Sequence, residues 1–133
     1  MHTITGHVRR PPAACWKVLV DPTLLTSWVP GLRRARVIES YETGLPKEIH
    51  FEFSSSLTYS LVYTYDVPAH EMRWEPRMGQ RDGVAGFAKI DETEDGARLT
   101  YGLEPGAGRS EKDRALGDPE SLVREFVTWM HAY

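Results

Sequence analysis

Between Leu57 and Val67 every odd-numbered residue is apolar or tyrosine, and every even-numbered one except Val62 is polar. A strand turns alternate side chains to the same side, so this stretch predicts a strand with Leu57, Tyr59, Leu61, Tyr63, Tyr65 and Val67 on one face. The same period of two runs through most of the middle of the chain. It predicts strands at 3–9, 34–42, 47–54, 72–77, 84–92 and 98–104. Their inward residues include Ile49, Phe51, Phe53, Met72, Trp74, Val84, Gly86, Ala88, Ile90, Leu99, Tyr101 and Leu103. Thr43-Gly44-Leu45-Pro46, Ser54-Ser55-Ser56, Asp82-Gly83 and Asp95-Gly96 read as turns, the two Asp-Gly pairs because they tolerate positive φ. Closely spaced strands joined by short turns predict an antiparallel meander with one wet and one buried face.

The period changes to that of a helix at three places. Pro11-Pro12 opens a helix over 13–20, with Cys15, Val18 and Leu19 on one face and Trp16 and Val20 at its margins. Asp21-Pro22 then supplies an N-cap and a first-turn proline for a second short helix over 23–28. Its inward residues are Leu24, Leu25 and Trp28. The third helix spans 118–133. Asp118 caps it, Pro119 takes its first position, and Leu122, Phe126, Trp129, Met130 and Tyr133 recur on one face. A helix this short is marginal alone in water, so it must lie on an apolar surface, here the sheet. Residues 105–117 (PGAGRSEKDRALG) show no periodicity and read as a long loop suited to a lid.

Composition narrows the picture. The chain has 133 residues, 41% hydrophobic and 26% charged, enough for one domain over 1–133 with a packed core. The net charge is −3, and Arg9-Arg10 and Arg33-Arg34-x-Arg36 are its densest basic spots, so no nucleic-acid face is expected. No apolar run is long enough for a membrane span and no signal-peptide pattern is seen, so a cytoplasmic protein is expected. Cys15 is the single cysteine and reads as a small core residue.

Catalytic motifs are absent: no Gly-x-Ser-x-Gly, no phosphate-binding loop, and five histidines without metal-ligand spacing. His50-x-Glu52 places two ligand-type side chains on one strand face, the wet one. No metal and no cofactor are expected, and no catalytic residue is assigned. What stands out is the aromatic inner face. Buried phenols need hydrogen-bond partners, which could be one another, water or a ligand. Packing with the hydroxyls at the rim is the plainer reading of each tyrosine taken singly. For the set, a pocket is expected, lined by Phe51, Tyr59, Tyr63, Tyr65, Trp74, Tyr101, Phe126 and Trp129. Tyr59, Tyr63 and Tyr101 could handle protons there. Arg73 and Arg77 could join them only if their strand had the opposite register.

The element order is strand, two short helices, six-strand meander and C-terminal helix. With Ala13-x-x-Trp16-x-Val18-Leu19-x-Asp21, Trp28-x-Pro30 and the aromatic last helix, it resembles the START-like superfamily, in particular its bacterial polyketide cyclase/dehydrase and lipid-transport group. The resemblance covers nearly the whole chain through diffuse motifs. It implies an α+β helix-grip fold: a curved seven-stranded antiparallel sheet wrapped around the C-terminal helix, with two short helices between strands 1 and 2. It also implies a cavity between sheet and helix for a hydrophobic or amphipathic small molecule, lipid-like or polyketide-like. The last helix, ending at Tyr133, is shorter than is usual for the group, which bears on how one end of the cavity closes. A carrier or sequestering module is the first functional expectation. An aromatase/cyclase or dehydratase using cavity tyrosines is the second, and a protein-interaction module the third. A homodimer is left open.

Overall fold

The computed structural model describes residues 2–77, 84–104 and 119–132. Seven strands form one open antiparallel sheet: β1 (His2–Val8), β2 (Leu32–Ser40), β3 (Pro46–Phe53), β4 (Thr58–Asp66), β5 (Glu71–Pro76), β6 (Gly86–Thr93) and β7 (Gly96–Leu103). Their order is β1-β7-β6-β5-β4-β3-β2, so the meander is complete and β1 adds to its far edge by pairing with β7. Helix α1 (Pro12–Leu19), a 3-10 turn (Pro22–Leu24) and α2 (Leu25–Trp28) join β1 to β2, and α3 (Pro119–Ala132) ends the described chain. The Asp118 cap, Tyr133, the Asp82-Gly83 turn and the 105–117 loop lie outside the described residues.

Local chemistry accounts for the boundaries. Pro12 occupies the first turn of α1, where an N–H would have had no partner. Asp21 caps the following turn as expected: its carboxylate accepts the Thr23 N–H at 2.9 Å and the Thr23 hydroxyl at 2.6 Å. Register shifts interrupt the β2–β3 ladder between Leu32 and Arg34 and again between Val37 and Ser40. Such bulges bend a strand and increase its twist.

One turn differs from the sequence reading. In the β6–β7 hairpin the two turn residues are Glu94 and Asp95, and Gly96 already pairs with Thr93 as the first residue of β7. Gly96 is not among the positive-φ glycines. It is required there by proximity, because an added Cβ would fall on the Val8 carbonyl oxygen and against the Arg9 Cα.

The core runs between the sheet and the helices. Phe126, Leu99, Met130, Val8 and Cys15 are the largest of its fully enclosed side chains. Cys15 is thus a core residue, and burial pushes its thiol pKa up against the opposing charge of Arg10. Helix α3 lies chiefly on β1, with further contact to β7 and α2. Its C-terminal end is tied to the β1–α1 connection: the Arg9 backbone N–H donates to His131 Nε2 at 3.1 Å, and Arg10 Nη1 donates to the Met130 carbonyl at 3.0 Å.

The buried stripe of α3 is Val123, Phe126 and Met130, rotated from the expected face. Leu122 and Trp129 are only half-buried at its margins. The reason lies in β1. Gly6 has no side chain, and a Cβ there would stand 2.6 Å from Val123 Cγ1 and 2.9 Å from Val127 Cγ2. The helix settles its valine side into that gap.

Candidate functional site

Because α3 sits chiefly on the β1–β7 side, it reaches the inner face of β3, β4 and β5 only at its margin, through Leu122. Alternation turns Phe51 and Phe53 of β3, Tyr59, Leu61 and Tyr63 of β4, Met72 and Trp74 of β5 and Tyr101 of β7 toward that space. Opposite them stand Leu19 of α1, Leu25 and Trp28 of α2, and Leu122 of α3. These side chains do not meet across the gap. They enclose a cavity of about 100 Å³, several times the roughly 10–15 Å³ that a single water needs.

The wall is a relay of rings. Tyr59 lies 5.7 Å from Phe51 and 5.5 Å from Phe53, centroid to centroid. Tyr63 lies 6.0 Å from Trp74, which is 5.3 Å from Tyr101. All four contacts are tilted, within the range that favours aromatic pairs. No described lining residue carries a charge. Arg73 and Arg77 point to the other face, as the expected register requires, and pair with Glu71 at 3.5 Å and Glu48 at 3.6 Å. His50 is also on that face, its Nδ1 2.9 Å from Ser60 Oγ. Among the described residues no group of His, Cys, Asp or Glu could hold a metal ion.

Tyr63 supplies the cavity's polar point. The residue is 7% exposed, and its backbone carbonyl accepts the Tyr41 hydroxyl at 2.6 Å. Its own hydroxyl has no hydrogen-bond partner among the described residues. Burial, and then the neighbouring phenols of Tyr101, Tyr59 and Tyr65, hold its pKa well above the ordinary value. It is therefore a neutral O–H that can donate or accept.

Tyr65 is raised as well, first by burial and then by Tyr41, and its hydroxyl donates to the Pro46 carbonyl at 2.7 Å. Phenols with raised folded pKa values contribute stability in full below the unfolded value near 10 and lose it as pH rises past that point. Urea unfolding is expected to show a stability that declines above pH 10, by about 1.4 kcal/mol per pH unit for Tyr63 alone. Tyr63→Phe should flatten that decline, and an unchanged slope would show that Tyr63 ionises freely in the folded protein.

Of the eight sequence-predicted site residues, Phe51, Tyr59, Tyr63, Trp74 and Tyr101 line the cavity. Tyr65, Phe126 and Trp129 are placed outside its lining. Tyr65 shares the face of Tyr63 and stacks on it at 6.2 Å, but lies further along β4, edge-on to Trp16 and Tyr41. Phe126 is fully enclosed and packs T-shaped on Trp28 at 5.0 Å, behind the cavity wall. Trp129 sits half-buried at the margin of α3. Leu25 and Trp28 line the cavity from α2, where the sequence pattern reads them as inward residues but not as site residues. Leu57, just before β4, shares the alternating face of Tyr59 and Tyr63, whereas Val29, just past α2, carries no periodic signal that could find it.

No family model matches the chain, and no curated protein matches it. Solved structures do. A START superfamily protein from Mycobacterium smegmatis superposes with a TM-score of 0.76 over 98% of this chain and 97% of its own, at 12% identity. The chain has the START-like, helix-grip fold. An AHSA1-like protein from Aeromonas hydrophila shares this START-like fold at TM-score 0.70 and 12% identity, with 98% and 92% of the two chains covered. So does a STAR-related lipid transfer protein from Xanthomonas axonopodis, at TM-score 0.67 and 14% identity, covering 97% of this chain and 84% of that one. No helix among the described residues is long and apolar enough to cross a membrane.

Proposed function

We propose that this START-like chain binds a hydrophobic or amphipathic small molecule in the cavity between β3–β5, α2 and α3. The observation that carries the reading is an apolar, aromatic-walled void left open in an otherwise packed core, with a neutral phenol unspent at its wall. A lipid-like or aromatic ligand fits that chemistry, and the likeness to a lipid transfer protein supports it. A carrier or sequestering role follows from such binding without any reaction. An aromatase/cyclase or dehydratase would have to work through the phenols, since the described lining offers no carboxylate, histidine or thiol.

Trp28 and Trp74 both border the cavity, so occupancy should be visible in tryptophan fluorescence. Titration with a small alkylphenol, excited where phenols do not absorb, should give a saturable change. Tyr63→Phe should weaken that binding by about 0.5–1.5 kcal/mol, the worth of one neutral hydrogen bond. Native mass spectrometry of freshly purified protein should show a retained small molecule. A fluorescence signal that stays flat to the solubility limit, with no retained mass, would remove the binding reading. Turnover lost by orders of magnitude in Tyr63→Phe with little loss of binding would favour catalysis instead.

A further inference from the structure

The polar capacity left over in the cavity wall has a sign. The Trp28 indole Nε1 is buried without a hydrogen-bond partner, and an indole N–H can only donate. The Tyr63 hydroxyl, in a side chain more than nine-tenths buried, is the second unspent group and brings an O–H of its own. Tyr59 and Tyr101 each have an interaction already. Tyr65 spends its hydroxyl on Pro46. The described lining carries no charged side chain, and the Tyr63 O–H has no acceptor there to donate to.

We infer that the cavity selects an uncharged apolar molecule bearing one hydrogen-bond acceptor, a ketone, ester or ether oxygen, which the Tyr63 hydroxyl receives. The inference rests on the binding reading above and narrows its ligand class. A hydrocarbon of the same shape fills the void but leaves the O–H unspent, and a buried donor without a partner is costly. An ionised carboxylate meets the Tyr63 O–H but no counter-charge in the described lining, and an ion taken from water into such a site loses far more hydration than a neutral donor returns. An ammonium finds no anionic side chain in the described lining.

Three compounds on one ring separate these cases: α-methylstyrene as the hydrocarbon, acetophenone as its carbonyl counterpart, and benzoate as the anion. Each is titrated into the intact protein and followed by methyl NMR at Leu61 and Met72, which line the cavity. At neutral pH acetophenone is expected to bind about 3- to 10-fold tighter than α-methylstyrene, the range of one neutral hydrogen bond. In Tyr63→Phe, which keeps the ring and its packing, that preference should vanish. Benzoate should bind about 10-fold or more weaker than acetophenone at neutral pH and gain affinity as it is protonated.

Equal binding of the ketone and the hydrocarbon overturns the inference and leaves the cavity reading standing. So does a ketone preference that survives in Tyr63→Phe, or benzoate binding as tightly as acetophenone. That last comparison needs only the wild-type protein, so it decides even if Tyr63→Phe fails to fold. Failure of all three compounds to bind overturns the cavity reading itself, and the inference with it.

Discussion

Phe126→Ala is expected to lower the unfolding free energy by about 3–5 kcal/mol, the usual cost of truncating a fully buried aromatic side chain. Phe126 is 0% exposed and anchors α3 to α2 through its edge contact with Trp28 at 5.0 Å. Its ring has no smaller neighbour free to collapse into the space, because Met130 and Val123 on either side are themselves enclosed. Total stability of a domain this size is about 5–15 kcal/mol, so the loss is a large fraction of it. Equilibrium unfolding in urea measures the change directly. A change below about 0.5 kcal/mol, typical of a surface site, would mean that α3 is not docked as described.

Gly6→Ala is expected to cost about 1–3 kcal/mol, in the range of overpacking rather than of lost burial. The added methyl would meet Val123 Cγ1 at 2.6 Å and Val127 Cγ2 at 2.9 Å. Those are branched side chains with little rotamer freedom in a helix, so the helix or β1 must move instead. Val123→Ala removes the nearer methyl group. In a double-mutant cycle the pair should therefore lose less stability than the two single changes added together. Strict additivity would show that Gly6 and Val123 do not meet.

These two residues also show what could be read from the chain. The strands and short helices appear within two residues of their expected bounds, because Asp21-Pro22, the prolines at 11 and 12 and the long alternation of β4 are local signals that tertiary packing did not need to override. The rotation of α3 was not legible. Leu122, Val123, Phe126, Val127, Trp129 and Met130 form an apolar arc too wide to name its own centre. The choice is made by Gly6, far away in sequence, which admits the valines. Tyr65 illustrates a second limit. Parity along a strand fixes the face of a side chain but not how far along the cavity it falls, and Tyr65 lies beyond the end. The inward face of Trp28 was legible. That its indole N–H has no partner was not, since partners are a property of the packed state.

The placement of β1 has a consequence for the order in which the chain folds. Strands β2 to β7 pair with sequence neighbours, so their contacts close small loops and can form early. β1 must instead wait for β7, near the other end of the meander, and α3 rests mainly on β1. The first strand and the last helix described are thus late, mutually dependent arrivals, and β1 stands unpaired until then. Mutations at Gly6 or Phe126 should accordingly speed unfolding more than they slow folding, whereas changes within the β3–β4 hairpin should act on the folding rate.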